Sequence, residues 1–301
     1  MQDLPSNIEQ NQESGGKIHK YALLISYVGT PFCGWQRQDS AQSGGAASIQ
    51  QTLEEAVARI TGETPSVVGS GRTDAGVHAL GQAAHFVLKN KFWEPRVLHR
   101  ALNFALPRAI RIRAVQPVSL GFHAQRSAIK KQYSYYFQQG PSEFPHLDLY
   151  SWWIHKELNI EAMDQGLKYL LGEREFRVFQ GKGAKPGSTV RTLFEAEAVL
   201  EPLRFPGFSH SPEEMPLFFG DGSSKRVGMI RLRLVGSGFL KQMVRGIAGT
   251  ALQVGEGYRP AEWFRDLLET QERRKVGPTA PARALWLEKV WYPPEFGLPW
   301  N

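Results

Sequence analysis

The chain has one cysteine, Cys33, in 301 residues. That excludes an intrachain disulfide and any zinc site built on a cysteine cluster, and it fits a reducing cytoplasm. The eight histidines show no H-x-x-x-H or comparable spacing, so no metal is indicated. No apolar run approaches the 18 residues of a membrane span. The run from Tyr21 to Val28 lacks an A-x-A cleavage site and lies behind an acidic, Gln-rich tail, so it reads as a buried first strand rather than a signal peptide. Acidic residues are the minority. Against 36 Lys and Arg stand 29 Asp and Glu, a net charge of +7, with pI near 9.5. This leans toward an acidic partner such as nucleic acid or anionic lipid, although solvated basic faces give the same count.

What is present is an ordinary globular composition, with 42% apolar residues and 30 glycines, enough for a sizeable core. Residues 1–16 are polar and read as a disordered tail. The spacing predicts a strand at His19–Tyr27 and a helix opened by a Ser48/Gln51 capping box, with Ile49, Leu53, Ala56, Val57 and Ile60 as its apolar face. Strands at Val67–Val68 and Ala83–Leu88 flank the loop GSGRTDAGVHALGQ. Pro95 starts a helix running to about Phe104, and strands follow near Ile110–Val115 and Lys131–Gln138.

Asn159 caps a helix ending near Leu171, and alternation marks strands at Thr192–Leu200 and Met229–Val235. Residues 201–226 are rich in Pro, Gly and Ser and read as a surface insertion. An amphipathic helix from Phe239 to about Val254, a helix at Ala261–Thr270 and a strand at Trp286–Tyr292 complete the chain. Strands punctuated by helices without strict alternation imply an α+β fold with largely antiparallel sheet. A glycine-bounded loop feeding a helix occurs in each half (Gly29–Ile60, Gly236–Gly257), which suggests two pseudo-symmetric halves, 17–125 and 126–301, around a cleft.

The chemistry is densest at Gly69-Ser70-Gly71-Arg72-Thr73-Asp74-Ala75-Gly76-Val77-His78. Three glycines permit a tight loop presenting Asp74 at its apex. A nearby Arg72 favours the ionised carboxylate, which serves as nucleophile or base. The spacing matches neither a dinucleotide fingerprint nor a phosphate-binding P-loop. By local chemistry alone, the run is also a plain Asp/Gly-rich turn between strands.

GRTDAGVHALGQAAHF resembles the signature of the bacterial-type TruA family of tRNA pseudouridine synthases. Further segments similar to that family follow in order. They are Tyr27–Gln38 (YVGTPFCGWQRQ), Ser48–Glu54, Phe122–Tyr136 (FHAQRSAIKKQYSYY), Phe239–Gly249 (FLKQMVRGIAG) and Val276–Tyr292. The resemblance implies a pseudouridine synthase fold with a basic active-site cleft, and a cofactor-free, metal-free isomerisation of uridine to pseudouridine. It also implies tRNA as partner, at positions 38, 39 and 40 of the anticodon arm, in a cytoplasmic homodimer with no membrane association.

Carried over residue by residue, the resemblance makes Asp74 the essential carboxylate and Arg72 the residue associated with flipping the target base. Tyr133 lies against the uracil, Arg245 pairs with Asp74, and Leu285 lines the uracil pocket. The chain departs from the pattern at Val28 (usually Asp), at Gln125-Arg126 (usually Arg-Phe), at Glu175 (usually Asp) and at Ala284 (usually Gly). These changes bear on tRNA contacts more than on chemistry. The basic loops 181–185 and Arg273-Arg274-Lys275 are candidate phosphate contacts. Alternative readings are a relative with other RNA targets, a catalytically silent tRNA-binding or chaperone protein, and a phosphate-binding hydrolase. The last lacks a second acid or a nucleophile–base pair.

Overall fold

The computed structural model describes residues 18–38, 45–184, 186–201 and 228–301. The 1–16 tail, Lys185 and all of the 201–226 insertion except Glu201 lie outside the described residues.

The N-terminal part is strand β1 (His19–Tyr27), helix α1 (Ile49–Thr61), strands β2 (Val68–Gly69) and β3 (His78–Leu88), helix α2 (Pro95–Ala105) and strand β4 (Ile110–Val118). After it come β5 (Lys130–Gln139), β6 (Trp152–Ile154), α3 (Ile160–Lys168), β7 (Gly172–Glu175), β8 (Val190–Glu201), β9 (Gly228–Gly236), α4 (Met243–Gly255), α5 (Trp263–Thr270) and β10 (Leu285–Trp291).

The helix starts follow local chemistry. Ser48 Oγ accepts from the Gln51 N–H at 3.1 Å, satisfying one free donor of the first turn. The Gln51 side chain points along the helix instead, its amide nitrogen donating to Glu55 at 2.8 Å. Asn159 Oδ1 accepts from the Ala162 N–H at 2.9 Å and opens α3. That helix ends at Lys168, three residues before the expected stop, and passes into tight turns at Leu170 and Leu171.

The ten strands of the described residues join one sheet in the order β4-β1-β3-β10-β5-β9-β8-β7, with β2 added to β3 and β6 to β5. Every pairing is antiparallel except β3 with β10 and β5 with β6, so the fold is α+β with a mixed, mainly antiparallel sheet. The β3/β10 ladder is two residue pairs long, His78 opposite Trp286 and Ala79 opposite Leu287. Because these strands run parallel, the segments entering them, 69–77 and 276–284, meet at the same end of the sheet. On β5, Tyr133 and Tyr135 stand opposite Leu287 and Leu285. Directly opposed residues share a face, so these four side chains line one side of the sheet beneath the two entering segments.

That side carries the core. Tyr21, Leu23, Ile25 and Tyr27 of β1 and Leu232 and Leu234 of β9 are buried, each contributing about 1.5–3 kcal/mol. Helix α4 departs from its expected form. It starts four residues later than Phe239, after Gln242 at φ 59°, and it is not amphipathic. All of its residues but Arg245 and Gln253 are buried, as befits a helix threaded through a core rather than laid on a surface.

Candidate active site

The loop between β2 and β3 is fastened along nearly its whole length. Gln82 of β3, fully buried, accepts from Ser70 Oγ at 2.6 Å and donates to the Gly71 carbonyl at 3.0 Å. Lys131 Nζ of β5 donates to the Ser70 carbonyl at 2.6 Å. Tyr27 and Thr73 hydroxyls are 2.8 Å apart, and the Trp35 N–H donates to the Thr73 carbonyl at 3.0 Å. That last contact requires Gly34 at φ 104°, where a Cβ would stand 2.8 Å from the same carbonyl oxygen. Past the apex, the buried His78 closes the loop. Its Nδ1 accepts from the Gly29 N–H at 3.1 Å, which fixes the tautomer so that Nε2–H faces the carbonyls of Arg283 at 2.8 Å and Leu149 at 2.9 Å. Burial lowers the His78 pKa.

At the apex, Arg245 joins three parts of the chain. Its Nη1 donates to Asp74 Oδ2 at 2.9 Å and its Nε to the Ala280 carbonyl at 2.7 Å. The Ala280 N–H returns a bond to the Arg245 carbonyl at 3.2 Å. The Arg245 side chain is 15% exposed and that of Asp74 31%, so the carboxylate keeps an open side while its partner is mostly enclosed. A pair in such a setting is screened less than a surface pair and holds the carboxylate oriented.

Phenols surround the pair. Burial raises the Tyr133 pKa well above the usual range, and Tyr27 and the Asp74 charge add to it, so Tyr133 stays protonated. Burial pushes Tyr27 up to about 12, against its bonds to Thr73 and Gln82. Tyr133 packs edge-on to Phe239, ring centres 5.0 Å apart, and Tyr135 donates to the Pro281 carbonyl at 3.0 Å. Leu285, also buried, is the first residue of β10.

Four of the five residues singled out in the sequence therefore converge: Asp74, Tyr133, Arg245 and Leu285. Arg72 behaves differently from the local expectation. It is exposed, makes no bond or ion pair with the described residues and does not neighbour Asp74 as its charge partner. Arg245 fills that role. Ala284 is buried in a short turn, and among the described residues only Gln242 and Gln271 are non-glycine residues at positive φ, so Ala284 needs no glycine-only backbone. Sequence reasoning missed Gln82 and Lys131. Burial first, and then Arg191, lower the Lys131 pKa to about 8. The one available signal was a lysine inside an aromatic strand.

The candidate phosphate loops differ. Arg274 and Lys275 share the one carboxylate of Glu272 at 3.3 and 2.8 Å, whereas Lys182, exposed like them, forms no ion pair among the described residues. Among the described residues, no group of three His, Cys, Asp or Glu side chains gathers as a metal site, and no helix is long and apolar enough to cross a membrane.

The family model described as tRNA pseudouridine synthase matches residues 23–125 and 167–293, which takes in both the Asp74 loop and Arg245. A Maridesulfovibrio salexigens protein named tRNA pseudouridine synthase A is 40% identical over 91% of each chain. Proteins of the same name from Bdellovibrio bacteriovorus and Chlamydia trachomatis are each 36% identical, the first over 91% of this chain and 95% of its own, the second over 92% and 93%. With both matched segments supplying the residues that meet at Asp74, the chain belongs to the tRNA pseudouridine synthase family.

Proposed function

We propose that the protein isomerises uridine to pseudouridine at positions 38, 39 and 40 in the anticodon stem-loop of tRNA, acting as a cytoplasmic homodimer without a cofactor. The observation that carries this reading is the single guanidinium of Arg245 holding Asp74 and the Ala280 carbonyl together, with an open side left on the carboxylate.

The target nucleotide leaves its stack, at a cost of a few kcal/mol. Arg72, exposed and unpartnered within the described residues, enters the RNA and holds the flipped state. The uracil lies on the Tyr133 ring against Leu285, which replaces part of the lost stacking. Asp74 acts on the ribose by adding to C1′ or by removing the 2′ proton; both need an ionised carboxylate. The C1′–N1 bond breaks, the uracil turns, and C5 bonds to C1′ as the Asp74–C1′ ester bond breaks or, on the second route, as the 2′ proton returns from Asp74 to the ribose. N1 takes up a proton and C5 loses one, so every heavy atom of the RNA is kept. Tyr133, held protonated, moves no net charge and serves as platform and proton relay.

Uridine tritiated at C5 tests this. Purified protein and tRNA in EDTA release the label from anticodon-arm sites, with Mg²⁺ needed for tRNA folding controlled separately. Release from unrelated RNA transfers the reading to a relative with other targets. Tight tRNA binding with no release from any tRNA overturns the enzyme reading in favour of a binding protein.

A further inference from the structure

From Pro95 to Ser142 the chain carries eight Lys and Arg and no Asp or Glu. Folding gathers part of this excess at the rim of the sheet. Between α2 and the edge strand β4 lies a cleft of about 300 Å³ whose charged lining is Arg96, Arg100 and Arg113, with His99 beside them. None of these three guanidiniums bonds or pairs with any described residue. Like charges gathered without a counter-ion repel, and an anion relieves the repulsion. Guanidiniums match phosphate oxygens in pairs, which makes a phosphodiester the fitting ligand.

The cleft is not shaped for an added peptide strand. Asn103 holds both backbone groups of Ile112, its Oδ1 accepting the N–H at 2.9 Å and its Nδ2 donating to the carbonyl at 2.9 Å. The open edge of β4 is closed there. Along α2, Arg96, Arg100 and Phe104 follow one another at four-residue steps and share a face. Phe104 is 94% exposed. Arginine alternating with an aromatic ring suits RNA better than an acidic peptide.

We propose that the cleft between α2 and β4 is a second RNA-backbone site, binding tRNA phosphates outside the nucleotides held over Asp74. This rests on the tRNA substrate proposed above. β4 is two strands from β3, about 10 Å across the sheet, so its occupant is not the target nucleotide.

The test is tRNA binding by the full chain as a function of salt, for wild type, the Arg96→Ala/Arg100→Ala/Arg113→Ala variant and the matching triple Lys variant. Thermal melting checks the fold. Each lost phosphate contact lowers the log Kd–log salt slope by about 0.9 for duplex. The Ala variant is expected to lower the slope by about 2 to 3 and weaken full-length tRNA binding at least tenfold at low salt. An isolated anticodon stem-loop is affected less, and the Lys variant restores most of the slope. An unchanged Kd and slope overturn the proposal and leave the cleft to an acidic protein partner; a loss confined to kcat overturns it as well. The readout is separate from turnover. A wild type showing this binding but no tritium release keeps the cleft and refutes the enzyme reading.

Discussion

Arg245 and Asp74, 171 residues apart, meet at 2.9 Å, and the same guanidinium fixes the Ala280 carbonyl through Nε. Lysine keeps the charge but has one ammonium in place of a fork and cannot hold both partners in this geometry. Arg245→Lys is therefore expected to lower kcat about 100-fold, about 2.7 kcal/mol of barrier. Asp74→Asn, which keeps size and loses the base, is expected to abolish turnover while tRNA Kd stays within several-fold. Single-turnover tritium release measures both. More than a tenth of wild-type turnover in Asp74→Asn would remove Asp74 from its role.

Arg72 touches nothing described in its own chain, so Arg72→Ala is expected to leave thermal stability within about 0.5 kcal/mol. Turnover falls more than affinity, because the side chain serves the flipped state rather than the backbone grip. Equal losses in kcat and Kd would make it a plain phosphate contact.

Helix α4 approaches the segment before β10 so closely that a Cβ at Gly249 would stand 1.7 Å from the Pro278 carbonyl oxygen. Gly249→Ala is expected to destabilise by about 3 kcal/mol or more, since backbone must move on one side. The shift also breaks the Arg245–Ala280 bond two residues away in the facing segment, so residual folded protein has low kcat. Denaturant melts and turnover on the same sample check this, and a wild-type midpoint contradicts it.

His85 has its pKa pushed down to about 4, first by burial and then by His123, Lys20 and Arg126. Unfolded, it titrates near 6.5. Between these values the unfolded chain binds the extra proton, so this contribution is complete above pH 6.5 and is lost as pH falls toward 4. It amounts to up to about 3 kcal/mol. His85→Gln is expected to flatten the stability curve between pH 4 and 6.5. Parallel wild-type and variant curves across that window would exclude His85 as the source.

The strands with alternating burial were legible to within a few residues, because period-two patterns survive in a sheet with one covered face. β6 and β7 were not, since a three-residue Trp152–Ile154 and a mostly exposed Gly172–Glu175 carry no period. The extra length of β3 was hidden by the motif itself: Gly81 and Gln82 read as loop, yet Gln82 is a buried strand residue tying down Ser70. Of the site, Asp74 was visible from local chemistry. Tyr133, Arg245 and Leu285 came from the family resemblance alone, as their meeting is a product of topology. Lys131 was missed because its value depends on a carbonyl 61 residues away.

The two-pair ladder between β3 and β10 also sets the order of assembly. β10 comes from the end of the chain, yet it lies between β3 and β5 in the middle of the sheet. During synthesis the Asp74 loop emerges before the carbonyls of 280–284 and the strand that closes the gap. Until they dock, β3 and β5 present unpaired inner edges, open to mispairing. Closure over so long a sequence separation is slow. The centre over Asp74 is therefore incomplete until β10 inserts between two strands made well before it.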